Sequence, residues 1–201
     1  MKKLVGLGLM TIAILSSAIV GFASEDNSFY KFGQSISDFD KKVQKSPGLA
    51  NDEVIDAKEV HALQMFYEHI ENKNSQAARK EAIKQVVEDT VLLQEAEKRN
   101  LTVSEDEARE FAKKQREELG KSSNAEEIQK AIDGLIQGLG ISEEEYWTDY
   151  VVKGYMKQNT ISKLRSEVLE GIEDQATRNE TWEEFVKTLT KSSSIDLKSI
   201  E

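Results

Sequence analysis

The sequence has no cysteine. Disulfides, thiol catalysis, cysteine-ligated zinc and lipid attachment at a lipobox are therefore excluded. Its single proline, Pro47, leaves long stretches free of the strongest helix breaker. The two histidines, His61 and His69, stand eight residues apart with no H-E-x-x-H pattern around them, so they read as surface or partly buried residues and no metal site is expected. Positive charge is also scarce. There are 27 Lys and Arg against 37 Asp and Glu, a net charge of -10. That balance argues against nucleic acid, whose phosphates reward Lys and Arg, and against anionic lipid. No G-x-S-x-G elbow, P-loop or dinucleotide fingerprint occurs. No catalytic residue, cofactor or small-molecule substrate is expected.

What is present suits a helix-rich protein with a well-solvated surface: 201 residues, 38% hydrophobic and 32% charged, enough for one domain of ordinary size or slightly more. Residues 1–23 read as a secretory signal. Lys2 and Lys3 supply the positive start, an apolar stretch follows, and Gly21 and Ala23 are the small residues that a signal peptidase reads. Cleavage after Ala23 would place the remainder outside the cytoplasm. The alternative is an uncleaved anchor that keeps the chain beside a membrane, because residues 4–22 are just long enough to span one.

Residues 24–52 are weakly patterned. They read as an arm or linker, either free or wrapped on the domain, with Ser37 as the cap of a short helix to Val43. The remainder, 53–201, reads as one helical domain. Residues 53–55 are a candidate strand, and Asp56 with Glu59 starts a helix carrying Val60, Leu63, Phe66, Tyr67 and Ile70.

The stretch 77–118 organises the chain. Ile83, Val86, Val87, Val91, Leu92, Leu93 and Ala96 give a broad apolar helical face. Lys98 and Arg99 suit the negative end of the helix dipole, and Asn100 fits the left-handed stop, with Leu101 packing back on the helix end. Ser104 and Glu107 then form a capping box. The next helix is highly charged, with Ala108, Phe111, Ala112, Gln115 and Leu119 as its less polar stripe. Asn124 with Glu127 starts a third piece, faced by Ile128, Ala131, Ile132, Leu135 and Ile136 and broken by Gly138-Leu-Gly. Ser142 and Glu145 are a second capping box, opening the longest helix, 143 to about 171. The acidic runs at 104–107 and 142–145 lack the alternating ligands and turn glycine of a calcium loop, and they sit where helix dipoles attract acids. They read as caps.

Three segments carry a family resemblance. The run LLQEAEKRNLTVSEDEA at 92–108 resembles the helix, short break and V-S-x-x-E of the SurA N-terminal chaperone domain, the helical part of SurA and PrsA-type extracytoplasmic foldases. Asn100 stands where many members have glycine. LGISEEEYW at 139–147 resembles the start of that domain's last long helix, and WEEFVKTLTKSSSIDL at 182–197 resembles its closing helix and short strand. The resemblance implies an all-α, elongated chaperone domain with a closing C-terminal helix at 179–191 and at most one short strand pair. The parvulin domain of larger members has no room between Ser166 and Thr181, since a compact domain needs at least ~50 residues. Prolyl isomerase activity is thus disfavoured.

The implied partner is an unfolded or secreted polypeptide, held by apolar contacts without a cofactor. A helical adaptor with one dedicated envelope partner is the alternative. The candidate client-binding residues are Met65, Phe66, Tyr67, Phe111, Tyr146, Trp147, Tyr150, Tyr155 and Met156, although each is also a plausible core residue.

Overall fold

The computed structural model describes residues 27–45, 55–193 and Ile195. The expected signal at 1–23 lies outside them. Among the described residues the fold is all-α, with no strand. Its helices are α1 (Ser28–Lys45), α2 (Ala57–His69), α3 (Ser75–Lys98), α4 (Glu105–Leu119), α5 (Ala125–Leu139), α6 (residues 143–168) and α7 (Gln175–Ser192). Of the candidate strand at 53–55, only Ile55 is described. It is buried just before Asp56, whose carboxylate caps α2 by accepting the Lys58 N–H at 2.8 Å. Ile195, from the other candidate strand, is half-buried against the main core.

The segment read as an arm contains α1, which belongs to the core. Phe32 is fully buried and Ile36 and Val43 nearly so. With the half-buried Phe29 and Phe39 they recur at steps of three and four, so one apolar stripe runs the length of the helix. Ser37 lies inside this helix and caps nothing. α1 crosses α5 so closely that backbones touch. A Cβ on Gly138 would lie 2.2 Å from the Tyr30 carbonyl oxygen, and one on Gly33 would lie 2.6 Å from that of Leu135. Gly138 is therefore a packing residue inside α5, not its break. The helix ends at Leu139 and is stopped, two residues after Gly138, by Gly140, whose φ of +69° is left-handed. Asn124 does not cap α5 with its side chain. Its backbone (φ -113°, ψ 24°) departs from the extended form of a capping residue, and its Oδ1 accepts from Ser122.

The centre of the chain folds on its local signals. Asn100 takes φ +59°, and the Leu101 and Asn100 amides return to the carbonyls of Ala96 (2.9 Å) and Glu97 (3.0 Å). Both capping boxes form. The Ser104 and Ser142 amides each donate to the Glu three residues on at 2.8 Å. α6 is not uniform. After Glu143–Glu145 comes a π-helical turn, Tyr146–Tyr150, in which the Val151 amide reaches back five residues to Tyr146; regular α-helix follows as Val151–Val168. The wide turn brings Tyr146, Trp147, Tyr150, Val151 and Val152 inward together, each at most 5% exposed. The helix stops at Val168 rather than near Gly171.

Most buried residues form one core shared by α1 to α6. Two ion pairs pin its helices: Lys58 to Asp40 at 2.8 Å between α2 and α1, and Lys157 to Glu59 between α6 and α2. A smaller apolar cluster lies where the far ends of α3 and α6 meet α7. Its buried members are Leu92, Ala96 and Leu164. The closing helix begins at Gln175, four residues before the expected start, because Asp174 caps it by accepting the Thr177 N–H at 2.7 Å.

No α7 residue is buried. Trp182, Phe185, Val186 and Leu189 are half-covered, with Arg165 over the Trp182 ring and Arg99 over Phe185. Half-covering four such side chains contributes on the order of 3–4 kcal/mol before the entropy of ordering the helix is subtracted. Truncation after Gln175 is expected to lower the melting temperature by several degrees and to bare Leu92 and Leu164. Unchanged calorimetric melting of the truncated chain would show that α7 adds nothing to the fold.

Candidate functional site

The described surface includes a shallow depression between the start of α4 and the second half of α6. Its first hollow, of about 500 Å3, has an apolar wall of Leu101, Val103 and Phe111. The opposite wall is a polar stripe on α6 made of Asn159, Ser162, Lys163 and Ser166. A second hollow of about 440 Å3, lined also by Asp106, Glu110 and Lys114, shares Glu107 and Phe111 with the first. The second lies along α4 alone and adjoins the first at Glu107 and Phe111, and the hollow between α4 and α6 is the groove.

The walls are held by local structure. The Schellman stop at Asn100 turns Leu101 back toward Leu92 and Ala96, and the capping box fixes the first turn of α4. The link between them is clamped to α6 by the buried Thr160 hydroxyl, which accepts the Val103 N–H at 3.0 Å. Phe111 is half-buried, with its ring edge-on to the fully buried Tyr155 at 4.9 Å between centroids. Lys163 spans the groove to Glu107 at 3.0 Å. The Ser104 amide, followed by Lys163, holds the Glu107 carboxyl down at about 2, so it stays ionised. Asn159, Ser162 and Ser166 make no side-chain hydrogen bond among the described residues, so their donors and acceptors face the groove unspent.

The nine residues singled out from the sequence divide. Phe66, Tyr146, Trp147, Tyr150 and Tyr155 are at most 7% exposed and form core. No partner reaches them while the fold is closed. Met65, Tyr67, Phe111 and Met156 are half-buried at the edge of that core, and among them Phe111 alone lines the groove. Tyr67 is committed elsewhere. Lys73 lies over its ring at 4.5 Å, and burial pushes its hydroxyl up to about 12. Sequence reasoning missed Asn159, Ser162 and Ser166. Their spacing of three and four was a readable signal, since short polar residues there mark one helical face.

His61 stacks on Phe39 at 4.1 Å and donates to the Ser35 carbonyl at 3.3 Å, and burial lowers its pKa. Among the described residues no group of His, Asp or Glu is placed to hold a metal ion. No helix among them is long and apolar enough to cross a membrane.

No family model matches the chain, and no solved structure matches it. Among curated proteins it is similar to the glutamate-rich protein GrpA of Alkalihalophilus pseudofirmus, with 28% identity over 120 residues, which is 58% of this chain and 74% of that protein.

Proposed function

We propose that the chain is an extracytoplasmic, chaperone-like protein of the SurA N-terminal type that holds unfolded or secreted polypeptides without isomerising their prolines. The observation that carries this reading is the pairing of unlike walls in the groove: the half-buried Leu101 and Phe111 on one side, Asn159, Ser162 and Ser166 on the other. An unfolded segment carries both an apolar side chain and a backbone whose N–H and C=O groups seek partners. The first wall suits the side chain and the second the backbone. The groove is shallow, which fits weak holding of many sequences better than tight binding of one small molecule. The three family-like segments support the same reading, and residues 1–23 support its location outside the cytoplasm.

The test is suppression of aggregation. At modest molar excess the chain without residues 1–23 should slow light scattering by a chemically unfolded client. Ser162→Trp, which fills the groove from an exposed position, should lose most of that effect while melting normally. A proline-peptide assay should show no acceleration of cis/trans exchange. If Ser162→Trp protects the client as well as the unaltered chain does, the groove is not where clients bind.

A further inference from the structure

We infer that the groove selects segments in which an apolar side chain neighbours a lysine or arginine. This rests on the polypeptide-binding reading above and names the class of segment it takes.

Charge is unevenly distributed around Phe111. Three carboxylates, Asp106, Glu107 and Glu110, line the second hollow against one ammonium, Lys114. Glu107 is already committed to its capping box and to Lys163. Asp106 and Glu110 are exposed and make no ion pair among the described residues, and as positions i and i+4 they share one face of α4. Phe111 is common to both hollows. A segment whose apolar side chain rests on Phe111 thus has its neighbouring side chain beside two exposed carboxylates that make no ion pair among the described residues. The aliphatic stem of Lys or Arg covers the rim of the Phe111 surface while its cationic end meets Asp106 and Glu110. An acidic neighbour is repelled there.

The test uses three labelled peptides of equal length and identical apolar centre, flanked by Lys, Gln or Glu, with binding read by fluorescence anisotropy. The Lys peptide should bind roughly three- to fivefold more tightly than the Gln peptide at low salt, and the Glu peptide most weakly. The Lys advantage should fade as salt shortens the reach of exposed charges. Asp106→Asn with Glu110→Gln should bring the Lys and Gln peptides to equal affinity. Glu180→Gln with Glu183→Gln removes the same charge from exposed positions on α7, and should leave the preference intact. If all three peptides bind alike at low salt, or if the α7 variant removes the preference as fully as the groove variant, the inference is wrong and the polypeptide-binding reading stands. If no peptide binds, both fall.

Discussion

Gly138→Ala is expected to destabilise the protein by about 3 kcal/mol, whereas Gly134→Ala, one helical turn earlier, should be neutral or slightly stabilising. By helix propensity alone both changes gain roughly 1 kcal/mol. Space separates them. The new methyl at 138 would sit 2.2 Å from the Tyr30 carbonyl oxygen and 2.8 Å from the Gln34 nitrogen, both backbone atoms that cannot rotate away. α1 and α5 would have to part, loosening Phe32 and Leu135 with them. At 134 the nearest atom is the Phe29 Cβ at 3.5 Å, an ordinary contact. Gly33→Ala strikes the same crossing from the other side. Once either methyl has forced the helices apart, the second meets more room, so the double variant should cost less than the two single costs together. Denaturant melts of the four proteins decide this. A loss of about 3 kcal/mol moves the melting temperature of a chain this size by about 8 °C, well outside error. Equal behaviour of Gly134→Ala and Gly138→Ala would mean that the two helices do not touch through their backbones.

The contrast also marks what was legible in the sequence. Local signals were legible because they act over three or four residues. Asn100, the Ser104 and Ser142 boxes and the apolar stripes of α2, α3 and α5 stand where spacing places them. The all-α class follows from the same signals. The role of Gly138 was not legible. A glycine near a helix end reads as a stop, and only the arrival of α1 over a hundred residues away in sequence makes it a contact. α1 itself was obscured because Ser, Asp and Gly interrupt its aromatic stripe, although Phe29, Phe32, Ile36, Phe39 and Val43 keep helical steps. The π turn was hidden for a related reason. Nothing in the run Tyr146–Tyr150 announces the wider turn, since adjacent buried residues such as Val86 and Val87 also occur on regular helix. In the groove, Phe111 stood out by type. Its polar wall did not, because Ser and Asn are unremarkable on any solvated helix until the opposite wall is known.

Asp89→Asn should stabilise the protein at pH 8 by on the order of 2–4 kcal/mol, and by little at pH 4. Asp89 lies on α3 and is 4% exposed. Gln85 donates one hydrogen bond to its Oδ1 at 2.8 Å, while Oδ2 is buried with no partner among the described residues. Burial raises its pKa from 3.8 to about 7 against the opposing pull of the Gln85 bond, with the Glu88 charge adding to the rise. The folded chain therefore holds a proton that the unfolded chain has released. Stability from this group is full below about pH 4, falls as pH rises through 4 to 7, and is lost above. The other shifted carboxyls, Glu107, Glu145 and Asp174, are lowered, so their opposite contributions change only at more acidic pH. His61 is lowered too, and from below 6.5 it gains stability as pH rises, blunting the slope without reversing it at pH 7 to 8. Asparagine keeps the shape and an acceptor for Gln85, and carries no charge to desolvate. Urea unfolding at pH 5 and pH 8 should thus show a wild type that weakens between the two and a variant that does not. If Asp89→Asn were instead less stable at pH 8, the ionised carboxylate would have a stabilising partner in the core. Asp89 would then be an anchor of α3 rather than a buried cost that the fold carries at neutral pH.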